Sequence, residues 1–429
     1  MKKSFLFPFS ITLCVFLGCV PVFASSSELK ENLDVDEAVS LAIENNISLK
    51  EEEITLRAYK RSSAYSWNSV SPSLSAGASY TKPVAPSDDG DGTAAVYGTA
   101  SISFTPALFA AVKGAKLDYE NGKLSYESAV KTIELNVRKA FYKILYDEDY
   151  LKLQKQNLES AEKQYQQNLA KYNSGGISRL DVLSTQVSVA TQKPKVLSAE
   201  TTLSNDKATF KQMLGIPQNT EISLSGSLDD FLNIGDITIE DIEMNSTSLK
   251  ILENKLEAAK TSVLKSRLNA YAPTLTGSYT VQRSKTGDND AVDSGTLKAS
   301  VTIPLDSILP WSSSAQSIAS AKDSVESIEL QIEDEKTSLK VSTESALLSI
   351  AQSKAAILSL QASANLAKET YEMTLSAYQR GTKDLLSLQN ALDDVFESQV
   401  NLKSEAYSLV SSILDLENII GVPFGTLLK

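Results

Sequence analysis

The sequence predicts a mainly α-helical protein with a small β portion, built from two copies of one unit. The stretch from Ile144 to Pro217 recurs from Ile350 to Pro423 at a constant offset of 206 residues. Each copy has two short runs of alternating apolar and polar residues between stretches of helical period. The longest helical stretch of each copy carries a seven-residue apolar repeat. A duplication of this size indicates a pseudo-symmetric scaffold, with copies at about 34–217 and 238–423.

The first 24 residues have the pattern of a secretory signal peptide. Lys2 and Lys3 precede an apolar run, and the small residues that end at Ala24 fit a signal-peptidase site. A loose lipobox, which would make Cys19 the lipidated first residue, is the alternative. We expect cleavage after Ala24 and one mature domain over 25–429. No further apolar run of about eighteen residues follows, so no transmembrane helix is expected.

Composition excludes most enzyme classes. There is no histidine, and both cysteines, Cys14 and Cys19, lie in the leader. The mature chain therefore lacks an imidazole base, a thiolate nucleophile and the usual soft metal ligands, so no cofactor or metal is expected. A net charge of -12 argues against nucleic acid as a partner. A carboxylate-dependent hydrolase would need two acids in one cleft, which heptad rods do not supply.

Each copy is predicted to begin with a capped helix. Asp34 and Thr238 are each followed three residues later by an acid, a capping-box pattern. We expect these helices to run to about Asn68 and Asn269, where a proline-containing segment changes the period from helical to two.

A β-hairpin is predicted next in each copy, over about 73–105 and 274–304. The strands have about the length of a tilted transmembrane β-strand, and each has one apolar and one polar face. Four strands from one chain cannot close a barrel, and open edges are not viable in lipid, so other copies of the chain must complete it. The apolar positions are Leu74, Ala76, Ala78 and Tyr80; Ile102 and Phe104; Leu275, Gly277, Tyr279 and Val281; and Leu297, Ala299, Val301 and Ile303.

A long helix follows each hairpin, over about 107–172 and 313–378. At 1.5 Å per residue each would be roughly 100 Å long. A shorter helix then returns to Leu214 or Ile420, and Pro194 is expected to bend the first of them. The first heptad seam is predicted at Val130, Val137, Ile144, Leu151, Leu158, Tyr165 and Tyr172, and the second at Ile350, Ile357, Ala364, Tyr371 and Tyr378.

The candidate functional residues lie where the long helices turn back. Each turn has a tyrosine before its glycine and an aspartate after it, and the acids are either gating groups or ordinary helix-start carboxylates. The two tyrosines are either gates or seam packing. The candidates are Tyr172, Gly175, Gly176 and Asp181 in the first copy, and Tyr378, Gly381 and Asp384 in the second.

The element order and several short segments, present in both copies in the same order, resemble the TolC-like outer membrane efflux protein family over essentially the whole mature chain. The segments are Leu33 to Ala38 with Ala42, Glu44-Asn45-Asn46 and Leu49-Lys50; Ser71 to Leu74; Tyr172 to Gly175 with Leu180 to Leu183; and Leu214 to Pro217. One departure is that Ser387 stands where the first copy has Asp181, while acids occur at Asp384, Asp393 and Asp394.

The resemblance implies a bacterial outer-membrane protein with a large periplasmic part. It implies a homotrimer in which the strands form one β-barrel in outer membrane lipid and the helical rods form a periplasmic α-barrel. It also implies the exit duct of a tripartite efflux or type I secretion system, with a periplasmic adaptor and an inner membrane transporter as partners. The alternative is an exported coiled-coil structural or adhesive surface protein without a pore.

Overall fold

The computed structural model describes residues 32–83, 91–235 and 246–428. The leader with Cys19, most of the first hairpin loop and the capping pattern at Thr238 lie outside these ranges. The elements are α1 (Val35–Asn45), α2 (Ile47–Ala64), β1 (Ser73–Thr81), β2 (Thr93–Phe104), α3 (Ala107–Asn173), α4 (Arg179–Leu214), α5 (Thr247–Tyr271), β3 (Thr274–Thr286), β4 (Val292–Thr302), α6 (Ser313–Gln379) and α7 (Leu385–Ile420). The predicted order of helix, hairpin, long helix, turn and helix is present in both copies.

The first capped helix is two helices. Asp34 caps α1 with a full capping box, as predicted. The chain then breaks at Asn46, so the prediction of one helix to about Asn68 is wrong. Asn46 has extended backbone angles, and its side-chain oxygen accepts a hydrogen bond from the Ser48 N–H at 2.9 Å, which starts α2. Its side-chain nitrogen donates to the Met213 carbonyl at 2.9 Å, so the break is where α4 ends against α1.

The four strands form one antiparallel sheet in the order β1-β2-β3-β4. The two copies join in its centre, where β2 pairs with β3 from Thr93 opposite Thr286 to Phe104 opposite Leu275. The register places the predicted apolar positions of all four strands on one face, which we call the apolar face. Leu74 is 82% exposed and Leu297 81% exposed there, so no described residue of the chain covers these side chains. The opposite, polar face consists mainly of serine and threonine.

The helices form a wall of four rods. Near the sheet, α3 packs between α2 and α5, and α5 packs on α6. Farther from the sheet, α3 packs between α4 and α7, and α7 packs on α6. The wall therefore has at one edge the rod formed by α2 and α4, and at the other edge the rod formed by α6. Both α3 and α6 have 67 residues, and both α4 and α7 have 36, so the copies match in helix length.

The packed seam of α3 differs from the predicted one in the half far from the sheet. Val137 and Ile144 are buried as predicted. Beyond them, Leu151, Leu158 and Tyr165 are only half-buried and Tyr172 is exposed, so that part of the prediction is wrong. The physical reason is that α3 is a middle rod held on both sides, so its most enclosed line lies between its two neighbours. The residues buried on that line are Gln154, Asn157, Ala161, Gln164 and Asn168.

Pro194 does not interrupt α4, which is helical from Arg179 to Leu214. The helix ends as predicted at a glycine, because Gly215 has φ 68° and its added Cβ would lie 2.7 Å from the Asn45 carbonyl oxygen. This close approach sets the junction between α4 and α1.

The largest hydrophobic core lies midway along the rods, where α1, α3, α4 and α7 meet the segment after α4. Phe141 and Phe210 are almost fully buried in edge contact, with ring centroids 6.3 Å apart. Burying a side chain of that size stabilises by about 1.5–3 kcal/mol. Arg138 links α3 to α1 by an ion pair with Asp36 at 2.7 Å. This core fixes the rods, and both ends of the wall extend away from it.

Candidate functional site at the tip of the rods

The end of the wall farthest from the sheet consists of two helix-to-helix turns. We call residues 168–181 and 374–387 the tip. In each turn a glycine follows the capping residue of the long helix, Gly175 with φ 76° and Gly381 with φ 75°. A Cβ at either position would meet nothing within 4 Å. The glycines are therefore required by their left-handed backbone rather than by close packing.

Both turns use the same hydrogen bonds. In the first, the Gly175 N–H donates to the Tyr172 carbonyl and the Gly176 N–H to the Lys171 carbonyl, each at 2.8 Å. In the second, the Gly381 N–H donates to the Tyr378 carbonyl at 3.0 Å, and the following N–H pairs in the same way. This is the pattern that closes a helix C-terminus at a left-handed glycine.

The two aspartates of the tip cap helices. Asp181 forms a capping box with Ser178, whose hydroxyl donates to the carboxylate at 2.7 Å. Asp384 is the N-cap of α7 and accepts from the Ser387 N–H at 2.8 Å. Hydrogen bonds from Ser387 hold the pKa of Asp384 below its usual value. Ser387 occupies the position that Asp181 has in the first copy. Its role here is to donate a hydrogen bond to the N-cap residue Asp384.

The two tyrosines have different surroundings although they occupy matching positions. The Tyr378 hydroxyl donates to the Asn168 side-chain oxygen at 2.8 Å, which joins α6 to α3 across the wall. The Lys171 ammonium lies 4.7 Å from the centre of the Tyr378 ring. Burial raises the pKa of Tyr378, while the hydrogen bond with Asn168 lowers it. Tyr172, in contrast, is 41% exposed.

The tip is basic rather than acidic, although the whole chain is acidic. Four basic residues and two acidic residues lie in it, and both acids serve as caps. The basic residues are Lys171, Arg179, Arg380 and Lys383, and the acids are Asp181 and Asp384.

A groove of about 640 Å³ lies above the tip, over α3 and between α4 and α7. Its α3 side presents Asn157 and Gln164, and its α7 side presents Asp393. Burial raises the pKa of Asp393, Lys195 across the groove lowers it, and the nearby Asp394 raises it. The acids predicted beyond the turn therefore lie along the rods, away from the tip.

No helix in the described ranges is long and apolar enough to span a bilayer. No group of three or more His, Cys, Asp or Glu side chains there is placed to hold a metal ion.

The family of the chain follows from a comparison with family models. The model of the outer membrane efflux protein family matches residues 38–216 and 238–422, which together cover most of the chain. The protein belongs to this family of outer membrane efflux channels, which is not an enzyme family. Its place is the outer membrane, with the helical rods forming a large periplasmic part. No curated protein matches the sequence in a direct comparison.

Solved outer membrane channels share the fold. The Campylobacter jejuni CmeC channel superposes with a TM-score of 0.74 at 18% identity, over 90% of this chain and 85% of that one. VceC of Vibrio cholerae superposes with a TM-score of 0.73 at 15% identity, over 91% of this chain and 96% of that one. The open state of the Neisseria gonorrhoeae MtrE channel superposes with a TM-score of 0.73 at 16% identity, over 90% of this chain and 89% of that one. At these identities the likeness establishes the fold alone.

The sequence reasoning did not identify Asn168 as a tip residue. The available signal was the recurrence of amides along α3 at Gln154, Asn157, Gln164 and Asn168. Amides three, four and seven residues apart share one helix face, and their recurrence indicated a buried polar line.

Proposed function

We propose that this protein is the homotrimeric exit duct of a tripartite efflux or type I secretion system. In this proposal three sheets close one β-barrel and three walls close one periplasmic tunnel. A periplasmic adaptor and an inner membrane transporter deliver the cargo to the tip. The membership in the efflux family supports the channel, and the geometry of the two wall edges supports the ring.

The two open edges of the sheet carry this proposal. β1 and β4 are the outer strands of the sheet, so each has a row of backbone groups without a strand partner among residues 32–83, 91–235 and 246–428. Open edges are not tolerated in hydrocarbon. Because one edge is β1 and the other is β4, a head-to-tail contact satisfies both, and such contacts close into a ring when the rotation between copies completes a full turn.

The helical wall has the same complementarity. Exposed apolar side chains lie on both edge rods, and the inner rods carry fewer of them. On α6 they are Leu330, Val341, Leu348, Leu358, Leu366 and Met373, and on the α2 and α4 edge they are Ile47, Ile54, Leu183, Val187 and Leu197. Pairing the two edges between neighbouring copies would bury part of each set, which favours the same head-to-tail ring.

The tip is proposed as the tunnel entrance and the adaptor contact. It lies at the far end of helices about 100 Å long, opposite the membrane sheet. Leu180 is 75% exposed and Leu386 63% exposed just past the turns, beside the basic side chains. A partner with apolar and acidic groups would fit this surface. The Tyr378 contact with Asn168 is proposed as a latch that holds the entrance closed.

A surface protein without a pore is the alternative function. It would not need a sheet with an uncovered apolar face, and the family match favours the channel over it.

Disulfide cross-linking tests the ring. One cysteine replaces Ser75 in β1, and a second replaces Thr296, Lys298 or Ser300 in β4, in a Cys19→Ser background. These strands are at opposite edges of the sheet, so a disulfide between them must join two copies. Oxidation should give dimers and a closed trimer for at least one pair. A cysteine at Thr280 in β3 is the control, because it lies two strands from Ser75, about 10 Å away.

Two results would contradict the proposal. Monomers alone after oxidation of all three pairs would show that the edges do not meet. A ladder that continues beyond the trimer would show an open chain of copies instead of a ring.

A further inference from the structure

The segment between β4 and α6, from Ile303 to Trp311, has its apolar side chains outside. Ile303 is 57% exposed, Leu305 69%, Ile308 70% and Trp311 80%. Leu309 is also exposed. In a segment that faces water, apolar groups of this kind normally turn inward and polar groups outward. We call residues 303–311 the junction segment.

Two serine side chains of this region are buried and hold it in place. Ser307 is 2% exposed, and its hydroxyl donates to the Ala270 carbonyl at 2.5 Å, which ties the segment to the end of α5. Ser312, just past the segment, is 8% exposed and caps α6 by accepting from the Ala315 N–H at 3.1 Å. The outward position of the apolar side chains is therefore built by specific contacts on the inner side.

Several backbone donors in and just past the junction segment are absent or paired. Pro304 and Pro310 have no N–H to satisfy. The Ile308 N–H donates to the Leu305 carbonyl at 3.3 Å, and the Ser312 N–H donates to the Leu309 carbonyl at 3.0 Å. Each backbone donor that is absent or paired internally lowers the cost of entering a lipid interface, because hydrocarbon offers no hydrogen-bond partners.

The junction segment continues the apolar face of the sheet. Leu297 and Val301 lie on that face of β4, and Ile303 keeps the same parity one residue past the strand. The segment also marks the level at which the strands end and the rods begin. The first copy has no such segment, because only Thr105 and Pro106 separate β2 from α3. The junction segment is therefore specific to the second copy.

We propose that the junction segment is a lipid anchor that lies in the periplasm-facing leaflet of the outer membrane, with Trp311 at the interface. The proposal rests on the barrel proposed above, whose apolar face it extends. Indole rings prefer the level of the headgroups, where one side is apolar and the other wet. Apolar side chains at the edge of the hydrocarbon would fix the height of the barrel in the membrane.

Tryptophan fluorescence tests this directly, because the chain has only two tryptophans, Trp67 and Trp311. The Trp67→Phe variant reports Trp311 alone. The full-length protein is reconstituted in vesicles of phosphatidylethanolamine and phosphatidylglycerol that contain brominated phosphatidylcholine. Trp311 should lose emission, and the loss should be larger with bromines near the glycerol end of the chains than with bromines near the methyl end. Acrylamide in the water should quench it weakly.

A matched control separates this anchor from the barrel. Leu297→Trp in a background with Trp67→Phe and Trp311→Phe places the only indole on the apolar face of β4. It should be quenched more by the deep bromines than by the shallow ones. Circular dichroism and migration on a native gel confirm that both variants assemble.

The remaining outcomes overturn the proposal in distinguishable ways. Quenching of the Leu297→Trp reporter without quenching of Trp311 would refute the anchor and leave the barrel intact. Trp311 would then be covered by a neighbouring copy if acrylamide also fails to quench it, or exposed to water if acrylamide succeeds. Quenching of neither reporter by lipid would refute the barrel and the anchor together.

Discussion

At the scale of single residues, the difference between Tyr378 and Tyr172 shows how a duplicated chain divides its tasks. The two tyrosines occupy matching positions, yet Tyr378 holds the hydrogen bond to Asn168 and Tyr172 is exposed. The partner decides the difference, because Asn168 belongs to the buried amide line of α3. A pattern in one chain segment cannot show which of two equivalent residues meets a partner on a distant helix.

Loss of this contact should favour an open tip. A hydrogen bond of this kind is worth about 0.5–1.5 kcal/mol, so Tyr378→Phe should shift the closed-to-open equilibrium by roughly two- to tenfold. Single-channel recordings in planar bilayers would show more frequent or larger openings. Tyr172→Phe is the matched control and should record like the parent. Identical recordings from the two variants would show that the contact is not a latch.

Replacing glycine with alanine should have opposite effects on stability at a turn glycine and at a glycine inside a helix. Gly381→Ala forces a side chain into φ 75°, which destabilises by about 1–2 kcal/mol although the added methyl has free space. Gly114→Ala is the control, because Gly114 is inside α3 and also has free space. It should stabilise the helix by up to about 1 kcal/mol. Thermal midpoints in detergent measure both, and a stabilised Gly381→Ala variant would contradict the backbone argument.

Asp147 should give the stability of the protein an unusual pH dependence. Its pKa is raised from 3.8 to about 6, first by burial and then by the nearby Asp206, while its ion pair with Lys143 opposes the change. The folded chain therefore binds this proton more tightly than the unfolded chain. The contribution of Asp147 to stability is greatest below about pH 4 and is lost as the pH rises toward 6.

The Asp147→Asn substitution removes this pH-dependent contribution to stability. Relative to the parent, the variant should gain stability as the pH rises from 4 to 7, by about 1–3 kcal/mol for a shift of about two pKa units. Thermal midpoints across that range measure the difference. Asp384→Asn should show the opposite sign, because the lowered pKa of Asp384 gives stability that is lost as the pH falls. A constant difference between parent and Asp147→Asn would refute the assignment.

At the scale of elements, the strands were the most predictable part and the rods the least. Alternation in β1 to β4 predicted which side chains share a face, because a strand has a period of two whatever its neighbours are. The seam of α3 was predicted correctly at Val137 and Ile144 and wrongly beyond them. A heptad indicates which residues can be buried, whereas the positions of α4 and α7 decide which of them are.

The break at Asn46 was missed for a related reason. The sequence around it reads as continuous helix, and its cause is the hydrogen bond to the Met213 carbonyl at the end of α4, far away in the chain. At the tip, the turns and caps were predictable because Gly175, Gly381 and the two aspartates act locally. Asn168 was not, because its partner lies 210 residues away.

The two faces of the sheet should tolerate charge differently. Leu297→Arg puts a guanidinium in the middle of the apolar face, where a charge in lipid costs about 2–4 kcal/mol. Thr296→Arg, one residue earlier, puts the same group on the polar face and is the matched control. Quantitative blots of outer membrane fractions should show much less Leu297→Arg protein than Thr296→Arg protein. Equal amounts of both would contradict the assignment of the lipid-facing side.

At the scale of the whole molecule, the duplication explains why one chain is a complete segment of wall but not a closed structure. Each copy supplies one hairpin, one long rod and one rod of two shorter helices, and the copies meet at β2 with β3 and at α3 with α5 and α7. The same kind of contact is left unmade at the outer edges. The wall ends in β1 and in the α2 and α4 rod on one side, and in β4 and α6 on the other.

The central claim is that these edges meet between copies and close a ring of three. Native mass spectrometry of the mature protein in detergent tests it most directly. The account predicts a single species with three times the mass of one chain, which persists when the detergent is changed and dissociates to monomers only on unfolding. A folded monomer that stays soluble in buffer without detergent would contradict the account, because its apolar face and both sheet edges would then need no partner.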